Sequence, residues 1–236
     1  AAEYRARGKS GFVTTTTHMF IEADTLLTDD ADTIIRELKE KGYAMAFNNI
    51  GILYQNGWGT AKDDAVAFNW FAQAAMKGDA NGQNNFAMCL QQGWGTPIDL
   101  ERGFRAFRLA AEQGLPEAMD NLAYCYLNGI GTAVNNQQAF HWYIKAAEKG
   151  HVLSMHNTGA LYYSGAGVGK DVKKALEWYS KAAEKGNLDS QCLLGALYLS
   201  GEVVPQNFQL AFKWNSKAAE QGNVTAQYFL GTMYFE

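Results

Sequence analysis

The sequence predicts an all-α protein, an α/α superhelical solenoid of 36-residue helix-turn-helix repeats. Three observations predict it. Gly42, Gly78, Gly114, Gly150, Gly186 and Gly222 recur every 36 residues without an insertion, and a fixed period of this length marks stacked repeats. Each half of the period places apolar residues at helical spacing, as in AMAFNNIGILYQNG (44–57) and AFHWYIKAAEKG (139–150). One phrase, HWYIKAAEKGH (141–151), returns as EWYSKAAEKGN (177–187).

From the N-terminus, residues 1–30 fall outside the register. Thr14–Thr17 is a β-branched run that resists helix, so this segment is expected to be a terminal cap or a flexible segment. DTIIRELKEKG (32–42) reads as the second half of a degenerate repeat covering 31–42. Five full repeats follow at 43–78, 79–114, 115–150, 151–186 and 187–222, and a half repeat covers 223–236.

Within each repeat a first helix is joined to a second by a link such as GWGTAKD (57–63). The link ends at Asp63, Asp99, Asn135, Asp171 and Asn207, all in one register. Asp and Asn are strong N-caps because their side-chain oxygen accepts an otherwise unpaired N–H. Pro97 and Pro205 set turns two residues before the cap, and Pro116 stands at a helix start, where its missing N–H costs little. The periodic Gly closes each second helix. Ala74-Ala75, Ala110-Ala111, Ala146-Ala147, Ala182-Ala183 and Ala218-Ala219 make each second helix narrow near its end. Gly51, Ala87, Ala123, Gly159, Gly195 and Gly231 do the same midway along the first. Bulk comes from Trp70, Trp142, Trp178 and Trp214 together with Phe71, Phe107, Tyr143 and Tyr179. One such hairpin cannot bury its apolar face alone, and stacking does it.

The motif A-x3-LG-x2-Y-x2-G-x-G…D…KA-x2-WY-x-KAAE-x-G resembles the Sel-like repeat family, a relative of the tetratricopeptide repeat. Its best instances are LGALYLSG (194–201), TGALYYSGAGVGKD (158–171) and KKALEWYSKAAEKG (173–186), and the resemblance runs over residues 31–236. Ala106 in place of the Trp, Leu90 in place of the Tyr and Val203 in place of a loop Gly are departures in single repeats. The resemblance implies a right-handed superhelix whose concave face binds other proteins, and a role as adaptor or assembly scaffold. One cysteine-rich secreted branch, from Helicobacter, implies the alternative of a β-lactam-binding or β-lactamase-type enzyme. That branch staples its repeats with disulfides.

Charge and motif content weigh against other classes. The net charge of −4 gives no basic footprint for nucleic acid, and no apolar run is long enough to insert directly into a membrane. Cys89, Cys125 and Cys192 do not follow a stapling pattern. Unpaired thiols lean towards a reducing, cytoplasmic setting, while the start AAEY, without Met, is consistent with a processed product that has lost a leader. His18, His141, His151 and His156 form no HExxH and no metal-ligand spacing. GAGVGKD (165–171) lacks the Ser or Thr that a phosphate loop requires after its Lys. No cofactor, metal or catalytic residue is expected. The chain ends one helix into a sixth repeat, so it is expected to continue or to pair with another molecule, including a second copy, through that open end.

The remaining signal is on the surface. Counting from the periodic Gly, positions 4, 8, 11 and 12 of each first helix form the core stripe, and positions 6, 10 and 13 lie opposite. There Asn48, Ile52 and Gln55 give way to Met88, to Tyr124 and Leu127, to His156 and Tyr163, to Leu199, and to Tyr228 and Phe235. Apolar residues on this face read either as a binding groove for a partner's peptide or helix, or as packing against adjoining helices. At position 7 stands a ladder of Asn49, Asn85, Asn121 and Asn157, broken at Leu193 and Phe229. Such amides either pair with the backbone of a bound peptide or satisfy the neighbouring repeat.

Overall fold

The computed structural model describes residue 40 and residues 43–233. The N-terminal segment 1–30, the half repeat 31–42 apart from residue 40, and Phe235 lie outside the described residues. From residue 44 onward eleven helices follow one another. The first helices are α1 (Ala44–Asn56), α3 (Ala80–Gln92), α5 (Pro116–Asn128), α7 (Val152–Ser164), α9 (Leu188–Ser200) and α11 (Val224–Met233). The second helices are α2 (Asp64–Met76), α4 (Leu100–Glu112), α6 (Asn136–Glu148), α8 (Val172–Glu184) and α10 (Phe208–Glu220). No strand occurs among the described residues. This is the all-α solenoid of repeated helix-turn-helix units that the period predicts.

The helix starts follow the N-cap logic. Asp63 accepts from the backbone N–H of Ala65 and Val66, both at 2.9 Å. Asp99, Asn135, Asp171 and Asn207 each accept from the residue three positions on, at 3.0 Å. Four of the first helices, α3, α7, α9 and α11, have side-chain caps of their own, which the periodic pattern did not announce, whereas Tyr43 and Leu115 cap α1 and α5 without a side-chain bond. Asp79 accepts from Gly82, Asn187 from Ser190 and Asn223 from Ala226. At the head of α7 the His151 ring takes this role, with Nδ1 accepting from the Ser154 N–H. The ends use glycine in the left-handed region. Gly93 has φ +74 and returns its N–H to the Cys89 carbonyl, and Gly114, just past α4, has φ +93.

Two compact units divide the chain, one reaching Trp142 and the other starting at Tyr143, inside α6. In the first unit α1 packs on α2, α2 on α3, α3 on α4 and α4 on α5; in the second α7 packs on α8, α8 on α9, α9 on α10 and α10 on α11. The close approach is made by the small residue nine positions after the periodic Gly. A β-carbon on Gly51 would stand 2.5 Å from the Phe71 ring, and one on Gly159 would stand 2.8 Å from the Tyr179 ring. Phe71 and Phe107 are completely buried. Trp70 stacks on Phe47 with ring centroids 5.6 Å apart, and Trp178 packs beside Ala147, Met155 and Ala182. On the outer edge Lys181 lies 4.1 Å over the Trp178 ring and Lys213 lies 4.4 Å over Trp214. In 177–187 the Lys of the repeated phrase, Lys181, therefore shields its own anchor ring.

Cys89 and Cys125 occupy the core position that Leu53, Leu161 and Leu197 fill elsewhere, and all three cysteines are free. Burial raises the Cys89 and Cys125 thiols to about 12, from an ordinary 9.0. The half-buried Cys192 thiol is also raised, first by burial and then by Asp189.

Gly51→Ala forces a methyl into the Phe71 ring and destabilises the protein by about 1–3 kcal/mol. Gly169→Ala, where nothing lies within 4 Å, leaves the urea midpoint nearly unchanged. In the folded protein at pH 8, Ellman's reagent modifies Cys192 first, and Cys89 and Cys125 react only on unfolding. Because these two thiols ionise later in the folded than in the unfolded chain, their contribution is intact below pH 9 and fades as pH rises from 9 towards 12. Alkaline thermal melts check the sign.

Candidate functional site

The asparagine ladder joins adjacent repeats. In the first unit Asn85 Nδ2 donates to Asn48 Oδ1 at 2.9 Å, and Asn121 Nδ2 donates to Asn84 Oδ1 at 2.9 Å. Position 7 of one repeat thus meets position 6 of the repeat before it. All four amides are buried, as is Asn49, so each pair holds two first helices at one spacing and one register. In the second unit position 7 of the fifth repeat is Leu193, and the contact between the fourth and fifth repeats changes chemistry: His156 Nδ1 lies 2.8 Å from Ser190 Oγ. The His156 ring also sits 5.3 Å from that of Tyr179. Asn157 is half-buried.

A second amide row escaped the sequence reading. Position 5 is Gln83, Gln191 and Gln227, and each reaches back to the carbonyl eight residues earlier, at Ala75, Ala183 and Ala219. Gln113 and Gln221 then donate to Gln83 and Gln191 at 2.8 and 2.7 Å. The recurrence of Gln at one register was the available signal. These carbonyls, at the end of a second helix, already accept the N–H of Gly78, Gly186 and Gly222, so each amide takes the carbonyl's second lone pair and ties the next helix to it.

The outer positions divide between interior and surface. Met88 is 1% exposed and Ile52 is 2% exposed, so the row is interior in the first two repeats. Tyr124, Leu127, Tyr163 and Leu199 are half-buried, and Tyr228 is 68% exposed. Lys170 lies 5.8 Å over the Tyr163 ring, and Tyr228 sits 6.0 Å from Phe229. These residues place aromatic area and cationic rims on the surface of their helices. Among the described residues no three of His, Cys, Asp and Glu gather as a metal cluster. Likewise, no described helix is long and apolar enough to cross a membrane.

One residue on the other helix of the fifth repeat departs from its column. The residue 29 positions after the periodic Gly is Phe71, Phe107, Tyr143 and Tyr179 in the first four repeats, and Asn215 in the fifth. Asn215 is 1% exposed, and its Nδ2 has no hydrogen-bond partner. The break in the aromatic column was legible in the sequence.

Comparison with known proteins agrees with this architecture. The Sel1 repeat matches residues 44–79, 80–115, 116–151, 152–187, 188–223 and 224–236, one residue later than the boundaries drawn from the glycine period. The protective antigen c5321 of uropathogenic Escherichia coli, which displays an SLR fold, is 35% identical with a TM-score of 0.79. The match covers 84% of this chain and 43% of the antigen, so the chain spans less than half the length of that relative. A Sel1 repeat protein from Oxalobacter formigenes is 35% identical with a TM-score of 0.75, over 82% of this chain and 79% of its own. The immunity protein Pa5087 of Pseudomonas aeruginosa shares the fold, with 19% identity and a TM-score of 0.54, over 80% of this chain and 72% of its own. The search of curated proteins returned no match. With the repeat matched from residue 44 to residue 236 and two solved relatives at 35% identity, the chain belongs to the Sel1 repeat family.

Proposed function

We propose that this chain is a non-catalytic scaffold that takes a partner polypeptide, a peptide or a helix, along the first-helix face opposite the core stripe, the concave face that the family resemblance implies. Sel1-repeat proteins generally serve protein–protein contact. The observation that carries the reading is that apolar and aromatic side chains opposite the core stripe keep accessible surface in each unit: Tyr124 and Leu127 in the first, and Tyr163, Leu199 and Tyr228 in the second. Such side chains, rimmed by polar groups, are the kind of surface that binding covers. His156 and Asn157, both half-buried at positions 6 and 7, lie beside it as polar neighbours. Asn49, Asn85, Asn121 and Met88, which are interior, act by holding the helices in place. An anchor fully covered by a partner contributes about 1.5–3 kcal/mol before the cost of ordering both surfaces.

Tyr124→Ala combined with Tyr163→Ala is expected to abolish partner capture, read by affinity purification and mass spectrometry beside the wild type, while the helical circular dichroism stays unchanged. Joint loss of capture and helicity would place these rings in the core and end the proposal. The ladder behaves differently. Asn85→Ala leaves the Asn48 oxygen buried without its donor and costs about 1–3 kcal/mol in urea unfolding. The double change Asn48→Leu with Asn85→Leu, which removes both polar groups, costs less.

A further inference from the structure

A cavity lies beside the break at Asn215. In the first and fourth repeats a small residue on the first helix lets an aromatic ring from the second helix seat against it, as Gly51 does for Phe71 and Gly159 for Tyr179. The fifth repeat keeps the small residue, Gly195, and supplies no ring. The Asn215 amide takes the contact instead, so that a β-carbon on Gly195 would stand 2.6 Å from Asn215 Oδ1. Beside the amide lies a cavity of about 360 Å³ between α9, α10 and α11. Its walls are Cys192, Leu193, Ala196, Ala226 and Phe229 with the polar Asn215, Asn223 and Thr225. Its surface is mostly apolar, and one of the residues lining it, Asn215, carries a buried Nδ2 without a partner.

A buried polar atom of this kind is destabilising when left unpaired. An apolar pocket with one such group is the usual form of a small binding site. We propose that this cavity is a binding pocket for a phenolic ring, entered hydroxyl first, with the ring filling the cavity and its oxygen bonded to the Asn215 amide. A hydroxyl suits either edge of that amide, because it both donates and accepts. A ring without a polar tip would fill the space and leave the amide unsatisfied. The ring is the tyrosyl side chain of a bound polypeptide; this last step rests on the scaffold reading above, since the cavity borders the position-6, position-7 and position-10 residues Cys192, Leu193 and Ala196 of the first-helix face. The pocket itself stands without it.

Titration of the full chain with N-acetyl-L-tyrosinamide tests the pocket. We expect saturable NMR shifts at the Asn215 side-chain amide, and ligand protection of Cys192 from Ellman's reagent. N-acetyl-L-phenylalaninamide is expected to bind about fivefold more weakly for want of one hydrogen bond. Asn215→Phe fills the cavity from within; it should abolish binding and raise the melting temperature. Asn215→Leu keeps the volume and removes the amide, so it should bind the two ligands alike. Failure of the wild type to saturate up to the solubility of the ligand, or equal binding by a folded Asn215→Phe variant, overturns the proposal. A p-cresol titration separates the two layers: p-cresol bound as tightly as the tyrosinamide overturns the polypeptide as source and leaves the pocket in place, whereas tighter binding of the tyrosinamide supports it. Loss of partner capture in the Tyr124 and Tyr163 variant, by contrast, bears on the scaffold reading alone.

Discussion

The structure depends on how closely a first helix can approach its second. That distance is set where a residue with no side chain, or only a methyl, faces an aromatic ring: Gly51 against Phe71, Gly159 against Tyr179. Interiors are packed as densely as organic crystals, so the ring and the gap must match. Once they do, the remaining placements follow. The Trp at the preceding position of α2, α8 and α10 turns towards the neighbouring helix or its own Lys rim. The alanine pair near the end of each second helix admits the next repeat. The burial that stabilises one hairpin is supplied by its neighbour, which is why the unit recurs.

Much of this was legible in the sequence, because stacking imposes the same demand at the same register in every repeat. Asp63, Asp99, Asn135, Asp171 and Asn207 had to be caps, since a helix start in each link needs an acceptor there. Of the core stripe, positions 4, 8 and 11 are buried in all five full repeats, while position 12 is buried at Leu90 and Tyr162 and half-buried at Tyr54, Tyr126 and Tyr198. The N-caps of the first helices were less legible because their residues differ, from Asp79 to His151, Asn187 and Asn223. His151 in particular offers the chemistry of a ligand and serves as a hydrogen-bond acceptor to the backbone.

The outer face was harder to read for a physical reason. Burial selects the same side chains whether the covering surface is a neighbouring helix or a partner. Met88 and Tyr124 stand in one register in adjacent repeats, yet Met88 is interior and Tyr124 retains surface. The asparagine column was equally ambiguous. Its donors and acceptors turn out to be offset by one position between repeats, so that Asn85 meets Asn48 rather than Asn49. A column of identical residues suggests like meeting like, whereas the pitch between two helices favours the diagonal neighbour.

Near-identical modules carry a hazard: one can dock where another belongs, giving a shuffled or entangled chain. The polar contacts between repeats differ along the molecule, asparagine with asparagine at Asn48 and Asn85, histidine with serine at His156 and Ser190. A module seated in the wrong slot would bring Leu193 against an amide and strand it away from water. The contacts therefore act as addresses, and the order of assembly is written in which neighbour can answer each buried hydrogen-bonding group.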